Sequence, residues 1–173
     1  MNQTDAAVEY LKKAIRLEPS SVELHEKLAS LYMDMGRYRP AAEHYWRCFE
    51  LSDTPKDKLR FVKSLYDAYF QLDRRDELVE RLERLKGIGK DIAPYLAVAE
   101  VYKLDQDMKS AFDELRRALE VQPQNIELLR QLVELSSEIG DPKLAAEYQR
   151  RLTTLEPSES NYRRLGDLLF DAG

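Results

Sequence analysis

The sequence predicts an all-α chain built as an array of helix pairs, and three observations carry that expectation. First, small and apolar residues return at a nearly fixed interval. Ala7, Ala41, Leu78, Ala111 and Ala145 are separated by 34, 37, 33 and 34 positions, and Ala14, Cys48, Leu85, Ala118 and Leu152 by the same four intervals. A third column, Leu28, Leu65, Val98, Leu132 and Leu165, is spaced by 37, 33, 34 and 33. A period of this length marks a repeat architecture. Second, all seven prolines fall at expected helix boundaries, where the missing N–H costs nothing. Third, no stretch alternates apolar and polar residues as a half-buried strand would.

The elements follow in order. Asp5 to Leu17 reads as the first helix, with Ala7, Leu11, Ala14 and Ile15 on one face, and Pro19 ends it. Ser20 stands three residues before Glu23 in a capping-box spacing, opening a second helix to about Met35. Gly36 supplies a turn, and a third helix runs from Tyr38 to Leu51. Thr54 is the expected N-cap and Pro55 the first residue of a longer fourth helix to Leu72. Arg75 to Lys86 forms the fifth, closed by Gly87 and Gly89. Asp91 caps the sixth, which reaches Leu104, and the seventh spans Met108 to Val121. Asn125 caps the eighth, ending at Gly140; Asp141 caps the ninth, closed by Pro157; Ser158 caps the tenth. About ten helices result.

Composition narrows function. The chain has 173 residues, 34% of them charged, and no run of about 18 apolar residues. No basic segment followed by an apolar run opens it, so neither a spanning helix nor a signal peptide is expected and the expected location is cytoplasmic. The net charge of −5 opposes nucleic-acid binding, which needs a basic stripe. One cysteine and two histidines leave little material for catalysis, for a disulfide framework or for a metal site. No enzyme activity, cofactor or metal is expected.

The small residues mark places where helices approach closely and bulk cannot fit. In register, Leu28-Ala29, Tyr32, Gly36, Ala41, Tyr45 and Cys48 form the clearest unit. Tyr102, Ala111, Ala118 and Pro123, then Gly140, Ala145, Leu152 and Pro157, and last Leu165-Gly166, repeat it. Together these resemble the tetratricopeptide repeat (TPR) over essentially the whole chain. His25 departs from the family's Trp, Asp53 from its helix-ending Pro and Ser136 from its Tyr. The resemblance implies a right-handed superhelical solenoid of antiparallel helix pairs with a concave groove lined by the first helix of each pair. It divides the chain into a single array: 1–20 as a second helix, 21–55, 56–91, 92–125 and 126–158 as full repeats, and 159–173 as a first helix. The exposed apolar residues expected on that last helix suggest a segment of a larger protein, since solenoid ends are normally polar.

Catalytic motifs are weak. Lys86-Gly-Ile-Gly-Lys90-Asp91 lacks the spacing and the Ser or Thr of a phosphate loop. Asp105-Gln-Asp107 lacks the Gly and closing acid of a calcium loop and reads as a turn. His25 and His44 read as packing or surface residues, and Cys48 as a buried, inert thiol. Trp46 either packs on a neighbouring pair or marks a contact patch.

The groove face that the resemblance implies holds Glu26, Ser30 and Met33, then Lys63, Asp67 and Phe70. Leu96, Glu100 and Lys103 follow, then Arg130, Glu134 and Ser137, and finally Arg163, Asp167 and Phe170. An acid recurs as Asp67, Glu100, Glu134 and Asp167, and three of these follow Lys63, Arg130 or Arg163 by four positions. One expectation is a set of intrahelical ion pairs, each worth about 0.2–0.5 kcal/mol. The other is a surface that meets a protein or peptide carrying basic residues, with Phe70 and Phe170 as apolar anchors. Glu26, Ser30 and Asp67 replace the Lys and Asn residues by which some family members hold a C-terminal carboxylate. The expected role is a non-catalytic interaction scaffold binding a peptide or partner helix; the alternative is self-association through incomplete terminal repeats.

Overall fold

The computed structural model describes residues 3–87 and 89–173. Its helices are α1 (Gln3–Leu17), α2 (Val22–Asp34), α3 (Tyr38–Leu51), α4 (Pro55–Arg60), α5 (Val62–Gln71) and α6 (Arg75–Glu83), followed by α7 (Ala93–Leu104), α8 (Met108–Val121), α9 (Ile126–Glu138), α10 (Pro142–Leu155) and α11 (Glu159–Asp171). No strand occurs among the described residues. The chain forms two compact units, Met1–Leu85 with α1 to α6 and Lys86–Gly173 with α7 to α11. In the first, α2 pairs with α3 and α5 with α6, while α1 packs on α2 and α3 on α5. In the second, α7 pairs with α8 and α9 with α10, while α8 packs on α9 and α10 on α11.

The hairpins close on one repeated turn. Arg37, Arg74, Asp107 and Asp141 donate their backbone N–H to the carbonyls of Tyr32, Tyr69, Tyr102 and Ser136 at 2.8, 3.0, 2.9 and 2.9 Å. The residue before each donor also bonds back, to Met33, Phe70, Lys103 and Ser137. This double bond pattern satisfies the last carbonyls of a helix and requires a left-handed residue. Gly36 (φ 67°) and Gly140 (φ 78°) supply it readily, whereas Asp73 (φ 54°) and Gln106 (φ 62°) adopt it with a side chain attached.

Most helix starts follow the capping expectations, but Ile92 and not Asp91 is the N-cap of α7, the Asp91 carboxylate accepting from Ala93 N at 2.8 Å from one residue further out. Thr54, Asn125, Asp141 and Ser158 each accept a backbone N–H from the first turn that follows. Ser21, not Ser20, caps α2, its Oγ accepting from Leu24 N at 3.4 Å. The expected fourth helix is interrupted at Phe61, giving α4 and α5. Phe61 N bonds Lys58 three residues back, tightening the turn, and the helix resumes with Leu65 N on Phe61 O at 2.9 Å. The Phe61 ring is buried, with the Arg60 guanidinium 4.6 Å above it.

The repeat columns are the core. Ala41, Ala111, Ala145, Cys48, Ala118, Leu28, Leu65, Val98 and Leu132 are fully buried. Ala14, Leu85 and Leu165 are half-buried, and Ala7 is exposed on α1, whose main packing partner is α2. Polar side chains are buried too, Glu114 and Gln149 among them. Glu114 takes Lys86 and Arg117 as ion-pair partners. Gln149 donates to the Asn161 carbonyl at 3.2 Å, while its own Oε1 has no partner.

Candidate binding surface

The expected groove residues occupy three matching positions on successive first helices. In the first unit these are Glu26, Ser30 and Met33 on α2 and Lys63, Asp67 and Phe70 on α5. Arg60 reaches Glu26 at 2.8 Å, joining the two hairpins. Phe70 stacks on Tyr66 with centroids 6.1 Å apart and remains 62% exposed. In the second unit α9 presents Arg130, Glu134 and Ser137, and α11 presents Arg163, Asp167 and Phe170, the last 86% exposed. On α7, Glu100 and Lys103 are partly exposed, whereas Leu96 is buried and belongs to the core.

The expected pairs of a base with an acid four residues later do not form. Arg163 turns back to Glu159 at 2.8 Å, and Arg130 reaches Glu156 beyond α10. The reason is orientation. Helical side chains lean toward the N-terminus, so acid before base is the better order. Glu159–Arg163 and Glu23–Lys27, at 2.5 Å, follow that order and do form. Asp67, Glu100, Glu134 and Asp167 therefore make no ion pair among the described residues. In the second unit Lys103 and Glu134 line one cleft with Met108, Gln131, Leu135 and Glu138.

The remaining candidates take structural places. His25 and His44 meet, Nδ1 to Nδ1, at 2.9 Å, which their 19-residue separation did not reveal. Burial, then His25, then Lys12 push the His44 pKa down to about 4. Cys48 is fully buried; burial first, then Glu26, pushes its thiol up to about 12, and its Sγ donates to Val22 O at 3.5 Å. Such a thiol is not a nucleophile at neutral pH. Trp46 is buried, donating its Nε1–H to Tyr69 Oη at 3.1 Å under the Arg81 guanidinium, 4.1 Å from the ring. It is a packing residue and not a contact patch. Lys86 points into the Glu114 pair and 5.2 Å over Tyr95, while Ile88 of the same loop lies outside the described residues. Asp107 caps α8 through Ser110 N at 3.1 Å. Among the described residues no three His, Cys, Asp or Glu side chains cluster as metal ligands, and no helix is long and apolar enough to cross a membrane.

Helix hairpins in a fixed register, each closed by the same turn, define a helical-repeat protein. The tetratricopeptide repeat model matches residues 1–21 and 22–55. That match covers the first third of the chain, and it supports assigning the helical array to the tetratricopeptide repeat family. It is 30% identical over 82 residues to the CTR9 homolog of Arabidopsis thaliana, covering 47% of this chain and 8% of that protein. It is 24% identical over 149 residues to the BBSome complex member BBS4 of Bos taurus, covering 86% of this chain and 28% of the relative. The chain thus spans less than a third of the length of either relative. Among solved structures, MamA of Desulfovibrio magneticus aligns with a TM-score of 0.51 at 18% identity, over 91% of this chain and 88% of that one. YrrB, described as a TPR protein with an unusual peptide-binding site, aligns with a TM-score of 0.50 at 17% identity, over 94% and 84%. These two similarities establish the fold.

Proposed function

We propose that the chain is a non-catalytic scaffold for protein–protein interaction that binds a peptide or partner helix on the faces of its first helices. One observation carries this reading. Asp67, Glu100, Glu134 and Asp167 recur at the same place on α5, α7, α9 and α11, and none is neutralised by an ion pair among the described residues. Unpaired carboxylates at the same repeat position within each unit favour a partner with basic residues through charge complementarity. The half-exposed Phe70 and the exposed Phe170 add apolar anchors of the kind that dominate interfaces. A peptide-binding site is described for YrrB, and BBS4 is named as a member of a complex; both agree with this role.

Charge reversal tests it. Asp67→Lys with Glu100→Lys and Glu134→Lys should weaken a partner captured by the wild-type chain while leaving its helical circular dichroism intact. Unchanged affinity would remove the assignment of these faces.

Self-association is the second reading, favoured by Tyr162, Leu169 and Phe170 standing exposed on α11 and Tyr10 and Leu17 on α1. Light scattering across a concentration series separates the two, because a mass independent of concentration excludes stacking through these helices.

A further inference from the structure

We infer that the cleft between α7 and α9 receives a single lysine or arginine side chain from the partner protein. This rests on the binding role proposed above and specifies its chemistry. The cleft measures about 150 Å³, below the roughly 300–1,000 Å³ typical of small-molecule sites, and is suited to one side chain. Met108 and the buried Leu135 give it an apolar lining that matches a methylene stem.

Three features aim it at a cation. Glu134 and Glu138 both line it, and neither makes an ion pair among the described residues. They stand one turn apart on α9, where like charges repel, so an inserted cation relieves a strain that the free chain carries. The last turn of α9 holds no basic residue, although its terminal carbonyls carry partial negative charge that favours one. Gln131 completes the lining; its amide N–H donates to Glu127 at 3.2 Å, leaving its carbonyl oxygen as a further acceptor. Lys103 is the single base of the lining. It offsets one of the two carboxylates, so the cleft retains a net negative charge. An acidic side chain attracted by Lys103 would face both glutamates.

The test uses the 173-residue chain and a fluorescein-labelled positional-scanning library of short peptides. Each position is fixed in turn as Lys, Arg, norleucine or Glu, and binding is read by anisotropy. At one position Lys and Arg should bind about tenfold more tightly than norleucine, as expected for one charge contact, and added salt should shrink the difference. Glu134→Gln with Glu138→Gln should abolish the preference, and so should Met108→Arg, which brings a guanidinium into the cleft. Glu43→Gln, exposed on α3 in the other unit, should leave it in place. Both glutamates are exposed, so circular dichroism should show the fold retained. Peptides that bind without this preference, or a preference that survives Glu134→Gln/Glu138→Gln, would overturn the cleft assignment and leave the scaffold role standing. A wild-type chain that binds no peptide in the library would overturn both.

Discussion

His25 and His44 are joined through their Nδ1 atoms by a hydrogen bond of 2.9 Å. His25 Nε2 lies 3.2 Å from the Pro19 carbonyl, which can only accept, so that nitrogen carries a proton. His25 Nδ1 is then the acceptor in the neutral ring, and His44 Nδ1–H donates to it across 2.9 Å. Tyr32 stacks on His44 at 5.8 Å, and Lys12 of α1 adds a positive charge nearby. The pair ties the turn after α1 to both helices of the following hairpin.

Acid should therefore loosen this hairpin. The His44 pKa is depressed to about 4 from an ordinary 6.5, chiefly by burial. Between those values the unfolded chain takes up a proton that the folded chain refuses, so stability falls as pH drops from about 6.5 toward 4. Allowing for partial solvent exposure, the loss is about 1–2 kcal/mol. Thermal unfolding from neutral pH to pH about 4.5 should show the gap between wild type and His44→Gln narrowing. Parallel curves would contradict the assignment.

The repeated turn makes a second prediction. Gln106 holds φ 62° where Gly36 and Gly140 hold the same conformation without a Cβ. Gln106→Gly should stabilise the chain by about 0.5–1 kcal/mol, the relief of a left-handed residue less the extra freedom of glycine in the unfolded state. Gly140→Ala should cost a similar amount. Urea midpoints measure both.

Close helix approach makes a third. Ala145 is fully buried and Ala7, in the same repeat column, is exposed. Ala145→Leu should cost about 1–3 kcal/mol through overpacking, and Ala7→Leu should fall within about 0.5 kcal/mol of wild type. Equal effects in chemical denaturation would break the register.

The contact of α10 with α11 makes a fourth. Gln149 is buried with an unpartnered Oε1, at the repeat position that holds Leu82 and Leu115 elsewhere. Gln149→Leu should raise stability by about 0.5–1.5 kcal/mol, since a partly satisfied buried amide is replaced by an apolar group. A lower unfolding midpoint would mean that the bond to the Asn161 carbonyl outweighs the orphaned oxygen.

Much of the fold could be read from residues that act locally. Prolines, glycines and capping side chains mark helix ends by their own chemistry, and the alanine columns keep their interval because close packing permits little else. What escaped depended on contacts distant in sequence or on geometry finer than the pattern. The His25–His44 bond links different helices. The Phe61 interruption lies inside a stretch with helical composition, and the cap of α2 fell one residue away because Ser20 and Ser21 are chemically alike. On the candidate surface, the spacing of bases and acids was legible but their partners were not. Arg130 reaches Glu156, 26 residues on, and the base-before-acid order left Asp67, Glu134 and Asp167 unpaired.

The most direct test of partner binding on the first helices is amide chemical-shift mapping of the chain during titration with a peptide captured from the library. The largest shifts should fall on α5, α7 and α9, around Asp67, Lys103 and Glu134. Shifts concentrated on α3, α8 and α10, with those three residues unmoved, would place binding on the second helices and contradict the proposed role of the acidic row.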